Sequence, residues 1–116
     1  MNDNDTTIAR LRAQVQGFID ERDWRQYHNP KNLSMSIAIE AAELMEHFQW
    51  MRTDELGEVR EDPAAMQEIR DEVADILWYI LSFANAMEFD LADALDSKMV
   101  KTRAKYPVER YKGRYK

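Results

Sequence analysis

The 116-residue chain contains no cysteine. That absence excludes disulfides, thiolate metal sites, iron–sulfur clusters and a cysteine nucleophile. Only three glycines and three prolines are present, too few to punctuate the turns of an all-β fold. No apolar stretch approaches the length that spans a bilayer, and MNDNDTTIARLRAQ lacks the basic-then-apolar order of a signal peptide. The expectation is a soluble cytoplasmic protein. The length suits one domain, and 45% hydrophobic with 33% charged residues is globular composition.

The net charge of −6 is unevenly distributed. Residues 1–97 carry 8 Lys+Arg and 21 Asp+Glu, whereas residues 98–116 carry 8 Lys+Arg and the single acid Glu109. Such a basic end is either a solvated tail or a segment that meets phosphate. Charge alone does not separate the two.

Apolar residues recur at helical spacing throughout. Ile8, Leu11, Val15, Phe18 and Ile19 predict a first helix from about residue 6 to Trp24, with Asp5 or Thr6 as its N-cap. Asn29-Pro30 reads as a turn that breaks it. A second helix is expected from Asn32 or Ser34 to about Met51, with Leu33, Ile37, Ala41, Leu44 and Phe48 on one face. Ser36, Glu40, Glu43, His47 and Trp50 line another. TDELGEVRED reads as a loop or a short helical turn. Asp62-Pro63 reads as an N-cap followed by proline at the first helical position.

The third helix carries Met66, Ile69, Val73, Ile76, Ile80, Phe83 and Met87, with Glu68, Glu72, Asp75 and Tyr79 on an adjacent stripe. Asp90 caps a fourth helix, with Leu91, Leu95 and Met99 on its apolar face, and Pro107 ends it. These elements predict an all-α, compact four-helix bundle over residues 1–107, followed by a basic tail over 108–116. Leu77, Trp78, Leu81 and Ala84 widen the apolar arc of the third helix enough to imply burial against another subunit.

Two acidic pairs carry the chemistry. Glu40 and Glu43, and likewise Glu72 and Asp75, are three residues apart, which puts each pair on one helix face about a turn apart. Apolar residues flank both pairs, and unpaired acids beside a core are costly. If the two helices pack face to face, four carboxylates converge and repulsion demands a cation. Oxygen-only ligation selects a hard ion, Mg²⁺ or Mn²⁺. Ordinary solvated acids are the alternative. A di-iron bundle would need Glu-x-x-His, and no histidine follows a glutamate at that offset. Trp24 and Trp50 flank polar segments and are candidates for stacking on a base, whereas Trp78 reads as core or subunit contact.

The run WRQYHNPKNLSMSIAIEAAELMEHFQW, then DEVADILWYIL, then SKM and KYP, resembles the MazG-like all-α nucleoside triphosphate pyrophosphohydrolases. The similarity covers about Phe18 to Pro107 and is greatest to the dCTP pyrophosphatase branch. The resemblance implies cleavage between the α and β phosphates, giving monophosphate and pyrophosphate, as nucleotide-pool house-cleaning. It implies Mg²⁺ held by Glu40, Glu43, Glu72 and Asp75, and a base pocket that includes Trp24, His28, Trp50 and Tyr79. It assigns a phosphate contact to Lys98. Thr102 stands where the family usually has asparagine, and Lys105 where it usually has arginine. The family assembles as homodimers, often paired into homotetramers, with pockets completed across subunits. The competing reading is a non-catalytic helical module whose basic tail binds nucleic acid, although the acidic body would repel a polyanion.

Overall fold

The computed structural model describes residues 1–114; Tyr115 and Lys116, the end of the basic tail, lie outside the described residues. Helix boundaries follow from the groups that satisfy free backbone amides and carbonyls at the helix ends. Helix α1 (Ile8–Glu21) starts at Thr7, whose side chain accepts the Arg10 N–H at 3.1 Å. Asp5 and Thr6, the expected caps, belong instead to a turn closed by the Thr6 N–H on the Asn2 carbonyl at 3.0 Å.

Helix α1 stops short of Trp24 because Asp23 adopts a left-handed conformation, φ 54°. The Asp23 N–H then reaches the Asp20 carbonyl at 3.1 Å, and the Trp24 N–H reaches that of Ile19 at 3.1 Å. This is the bonding pattern of a Schellman cap, built on aspartate rather than glycine. A single 3₁₀ turn, Arg25–Tyr27, follows.

Helix α2 (Pro30–Glu46) begins earlier than expected. Asn29-Pro30 is a helix start: Asn29 Oδ1 accepts the Asn32 N–H at 2.9 Å, and Pro30 takes the first helical position. The helix also ends earlier than expected, at Glu46, so Trp50 lies beyond it. Thr53–Glu61 is a nine-residue 3₁₀ segment anchored by buried Val59. Asp62 caps α3 (Pro63–Met87) as expected, accepting the Ala64 and Ala65 N–H groups at 3.1 and 3.2 Å. Asp90 likewise caps α4 (Leu91–Lys105). Past Pro107 the chain makes one more turn, α5 (Val108–Tyr111), with Tyr111 edge-on to Tyr106.

The all-α architecture with four long helices is as the periodicity predicts. Helix α3 is its hub, packing on α2, on α1 and on the Thr53–Glu61 segment. Val15, Ile19 and Leu81 form the buried centre, with Leu11, Trp78 and Leu91 against it. A polar clamp fixes α1 to α3: Arg12 Nε donates to Asn85 Oδ1 at 2.9 Å, and Asn85 Nδ2 returns to the Arg12 carbonyl at 3.0 Å.

One chain closes little of its own surface. Its radius of gyration is 17.4 Å, against about 13 Å for a self-contained domain of this length. Helix α4 touches the rest only sparsely and buries none of its residues. Ile39 on α2 is 58% exposed and Leu95 on α4 is 65% exposed. Apolar rows on α2, α3 and α4 therefore face outward.

Replacing Asn29 by alanine removes the α2 cap. It should lower stability by about 1 kcal/mol, read as a lower midpoint in urea with an unchanged slope. An unchanged midpoint would place the helix start elsewhere.

Candidate metal and nucleotide site

Helices α2 and α3 run antiparallel, which lays their acidic stripes along one seam. Single carboxylate oxygens of Glu40, Glu43 and Glu72 all lie within 4.8 Å of one another. One turn along the seam, His47 Nδ1 lies 3.9 Å from Glu68 Oε2. Asp75 is exposed and outside the tight trio, but its negative charge acts on both Glu40 and Glu72.

The electrostatics of this cluster are unfavourable by themselves. Glu40 Oε2 and Glu72 Oε2 are sealed from solvent and have no hydrogen-bond partner. Burial, then the neighbouring carboxylate of Glu43, pushes the Glu40 pKa up to about 7. The same two causes, in the same order, raise that of Glu72. Buried acceptors without donors are rare in folded proteins and call for a missing partner. Three convergent carboxylates with two orphaned oxygens offer a hard cation what it needs. An ion could take one oxygen from each of Glu40, Glu43 and Glu72.

Beside this seam lies an aromatic cluster. Trp24 and His28 stack at 6.3 Å, with 11° between their planes. Trp78 meets His28 edge-on at 5.6 Å and Tyr79 at 5.2 Å, and Phe18 meets both Trp24 and Trp78 at 5.9 Å. The Schellman turn makes the cluster possible, because it folds Trp24 back over the end of α1. His28 is held by its Nδ1, 2.9 Å from the Trp24 carbonyl.

Of the residues expected to hold the base, the structure brings Trp24, His28 and Tyr79 into one chain of ring contacts. Trp50 stands apart, 88% exposed past the end of α2. Lys98 and Thr102 lie on α4, where the Thr102 hydroxyl donates to the Lys98 carbonyl at 3.0 Å. Neither is joined to the acidic seam by an ion pair or hydrogen bond among the described residues. Trp78, expected at core or subunit contact, does pack on the core, and with Phe18, expected on the apolar face of the first helix, it also joins the aromatic cluster. The available signal was their place on the α1 and α3 faces that meet.

The family model for the MazG-like family matches residues 35–116, a stretch that contains both acidic pairs. The chain belongs to the MazG-like family. It is 38% identical over 106 residues to dCTP pyrophosphatase 1 of Mus musculus, covering 91% of this chain and 61% of that protein. The Homo sapiens protein of the same name is 38% identical over 101 residues, covering 87% and 58%. This MazG-like chain thus spans about 60% of the length of those relatives. A crystal structure of a pyrophosphatase from Archaeoglobus fulgidus superposes with a TM-score of 0.81 at 40% identity, covering 92% of this chain and 98% of that one.

The raised pKa of Glu40 fixes a sign. The folded chain retains a proton that the unfolded chain releases above its ordinary value of 4.5. That contribution to stability is complete below 4.5 and is lost as pH rises through about 7. Without divalent cations, the melting temperature of the wild type should fall across this window more than that of Glu40→Gln, which cannot ionise. Parallel pH profiles would show that Glu40 is not strained.

Proposed function

We propose that this MazG-like chain is a divalent-cation-dependent nucleoside triphosphate pyrophosphohydrolase. Its substrate in this reading is dCTP or a modified analogue, cleaved to the monophosphate and pyrophosphate in the cytoplasm as nucleotide-pool house-cleaning. The observation that carries the reading is the pair of orphaned oxygens on Glu40 and Glu72 within the carboxylate trio. A non-catalytic module has no use for acids kept at such cost in its helix seam.

Glu40, Glu43 and Glu72 would hold Mg²⁺, or Mn²⁺, with Asp75 completing the charge from one turn along α3. Bound there, the ion supplies charge neutralisation for the triphosphate and activation of the attacking water. Trp24, His28 and Tyr79 would present ring surface and polar edges to the base. Trp50, Lys98 and Thr102 are exposed or only partly covered in one chain. In this reading they act in a homodimer or homotetramer, where a second copy covers the outward apolar rows and the basic end meets phosphate. Residues 1–107 then form the working domain, with 108–116 as a basic extension and no role for nucleic acid. No helix among the described residues is long and apolar enough to cross a membrane.

Incubation with dCTP and Mg²⁺ should release dCMP and pyrophosphate in equal amounts. Release of inorganic phosphate as the primary product would refute the reaction. Glu43→Gln and Asp75→Asn should each lower kcat/KM by at least about 100-fold, or about 2.7 kcal/mol of barrier, with helical circular dichroism unchanged.

Independently of turnover, Mg²⁺ at about 100 times its Kd should stabilise the wild type by about 2.7 kcal/mol. Glu72→Gln should lose most of that gain. Equal Mg²⁺-induced shifts in both proteins would remove the metal assignment.

A further inference from the structure

The acidic seam has two unlike ends. On α3 the row Tyr79, Asp75, Glu72 and Glu68 runs at helical spacing from the aromatic cluster to the far end of the seam. Glu40, Glu43 and His47 form the facing row on α2, which runs the opposite way. At the Tyr79 end lie Trp24, His28 and Trp78. His28 there also lines a polar cavity of about 230 Å³, with Gln16, Arg25, Ser82, Asn85 and Glu88. Ring surface and a space too small for a whole drug-sized ligand are thus gathered at this end.

The other end is bounded by Glu68 and by His47, the C-cap of α2. His47 Nδ1 lies 3.9 Å from Glu68 Oε2, so the ring is turned across the seam toward α3, with 24% of its side chain exposed. Its Nε2 enters no hydrogen bond among the described residues. This histidine shares a stripe with Glu40 and Glu43, yet it stands outside the carboxylate trio.

Spacing decides what His47 can reach. With a rise of about 1.5 Å per residue, Tyr79 stands about 10 Å from Glu72 along α3, and Glu68 lies about 6 Å from Glu72 on the other side. A nucleoside triphosphate has its parts in the same order: base, sugar, then the α, β and γ phosphates. With the base on the aromatic cluster and the α phosphate at the Glu40–Glu43–Glu72 trio, the β and γ phosphates run on toward His47. Those two leave together as pyrophosphate.

Charge agrees with this order. Apart from Tyr79, every other titratable side chain of the two rows is an acid and repels phosphate. His47 is the residue of these rows that can present a cation. Both the C-terminal carbonyls of α2 and the carboxylate of Glu68 favour positive charge at this point. As an imidazolium the ring donates from both nitrogens, Nδ1 toward Glu68 and Nε2 toward a phosphate oxygen.

We propose that His47 binds the departing pyrophosphate, holding the β and γ phosphates at the Glu68 end of the seam. The inference rests on the pyrophosphohydrolase reading and goes beyond it by adding a phosphate-binding residue from the seam itself.

The test titrates pyrophosphate and, separately, dCMP into the Mg²⁺-loaded full chain by calorimetry. A base with its α phosphate does not extend to His47, so dCMP serves as the internal control. His47→Leu should weaken pyrophosphate binding by about 10-fold and leave dCMP binding within about twofold of wild type. It should keep the Mg²⁺-induced rise in melting temperature, because His47 is outside the trio. His47→Arg or His47→Lys should recover most of the lost pyrophosphate binding. Pyrophosphate bound by His47→Leu within about twofold of wild type overturns this inference alone. So does an equal weakening of dCMP, which marks a merely structural role, or a loss that neither cationic variant restores. A wild type that releases no pyrophosphate from dCTP overturns the reading beneath it.

Discussion

Three carboxylates crowded across the α2–α3 seam set the terms for the rest of the molecule. Helix packing normally buries apolar side chains, and here the same packing brings Glu40, Glu43 and Glu72 within 4.8 Å. Two of their oxygens are shut away from water without a donor. The remaining packing on α3 must hold the seam closed against that repulsion in the absence of a cation. The Val15–Ile19–Leu81 centre and the Arg12–Asn85 clamp tie α1 across the opposite face of this hub. A divalent ion changes the sign of the problem, since the groups that repel one another become its ligands.

The aromatic cluster depends on a small backbone detail. Asp23 in a left-handed conformation lets the chain turn back at the end of α1, so that Trp24 stacks on His28 and both reach Trp78. Glu88 plays the same part at the end of α3, φ 59°, with the Phe89 N–H on the Ala84 carbonyl at 3.2 Å. These two turns bound the cavity that Ser82 faces. Two helix ends, neither built on glycine, thus contribute to the aromatic cluster and the cavity wall.

The openness of the single chain is the third constraint. A radius of gyration of 17.4 Å and outward rows such as Ile39 and Leu95 leave apolar surface that the protomer does not cover. Short connections predicted antiparallel neighbours, whereas α2 and α3 pack together across residues 47–62, which include the Thr53–Glu61 segment. Helix α4 follows α3 through a much shorter link, residues 88–90, yet stays largely apart. Loop length constrains which helices can meet, whereas burial of apolar area decides whether they do.

Much of the site was legible in local spacing. A separation of three residues on a helix puts two acids on one face whatever the fold, so both pairs could be read before any packing was known. Asp62-Pro63 was legible as a helix start for the same local reason. Asn29-Pro30 is the same device and read as a break, because proline's effect depends on whether the preceding side chain caps. That choice is settled by geometry, not composition. Sequence by itself thus determined the helices, their apolar faces and the acid pairs. Tertiary structure decided which three acids close on one another, that Trp78 and Phe18 join Trp24 while Trp50 does not, and that Ser82 faces a polar cavity. Those outcomes depend on how separate helices are rotated and set against each other, which no local spacing specifies.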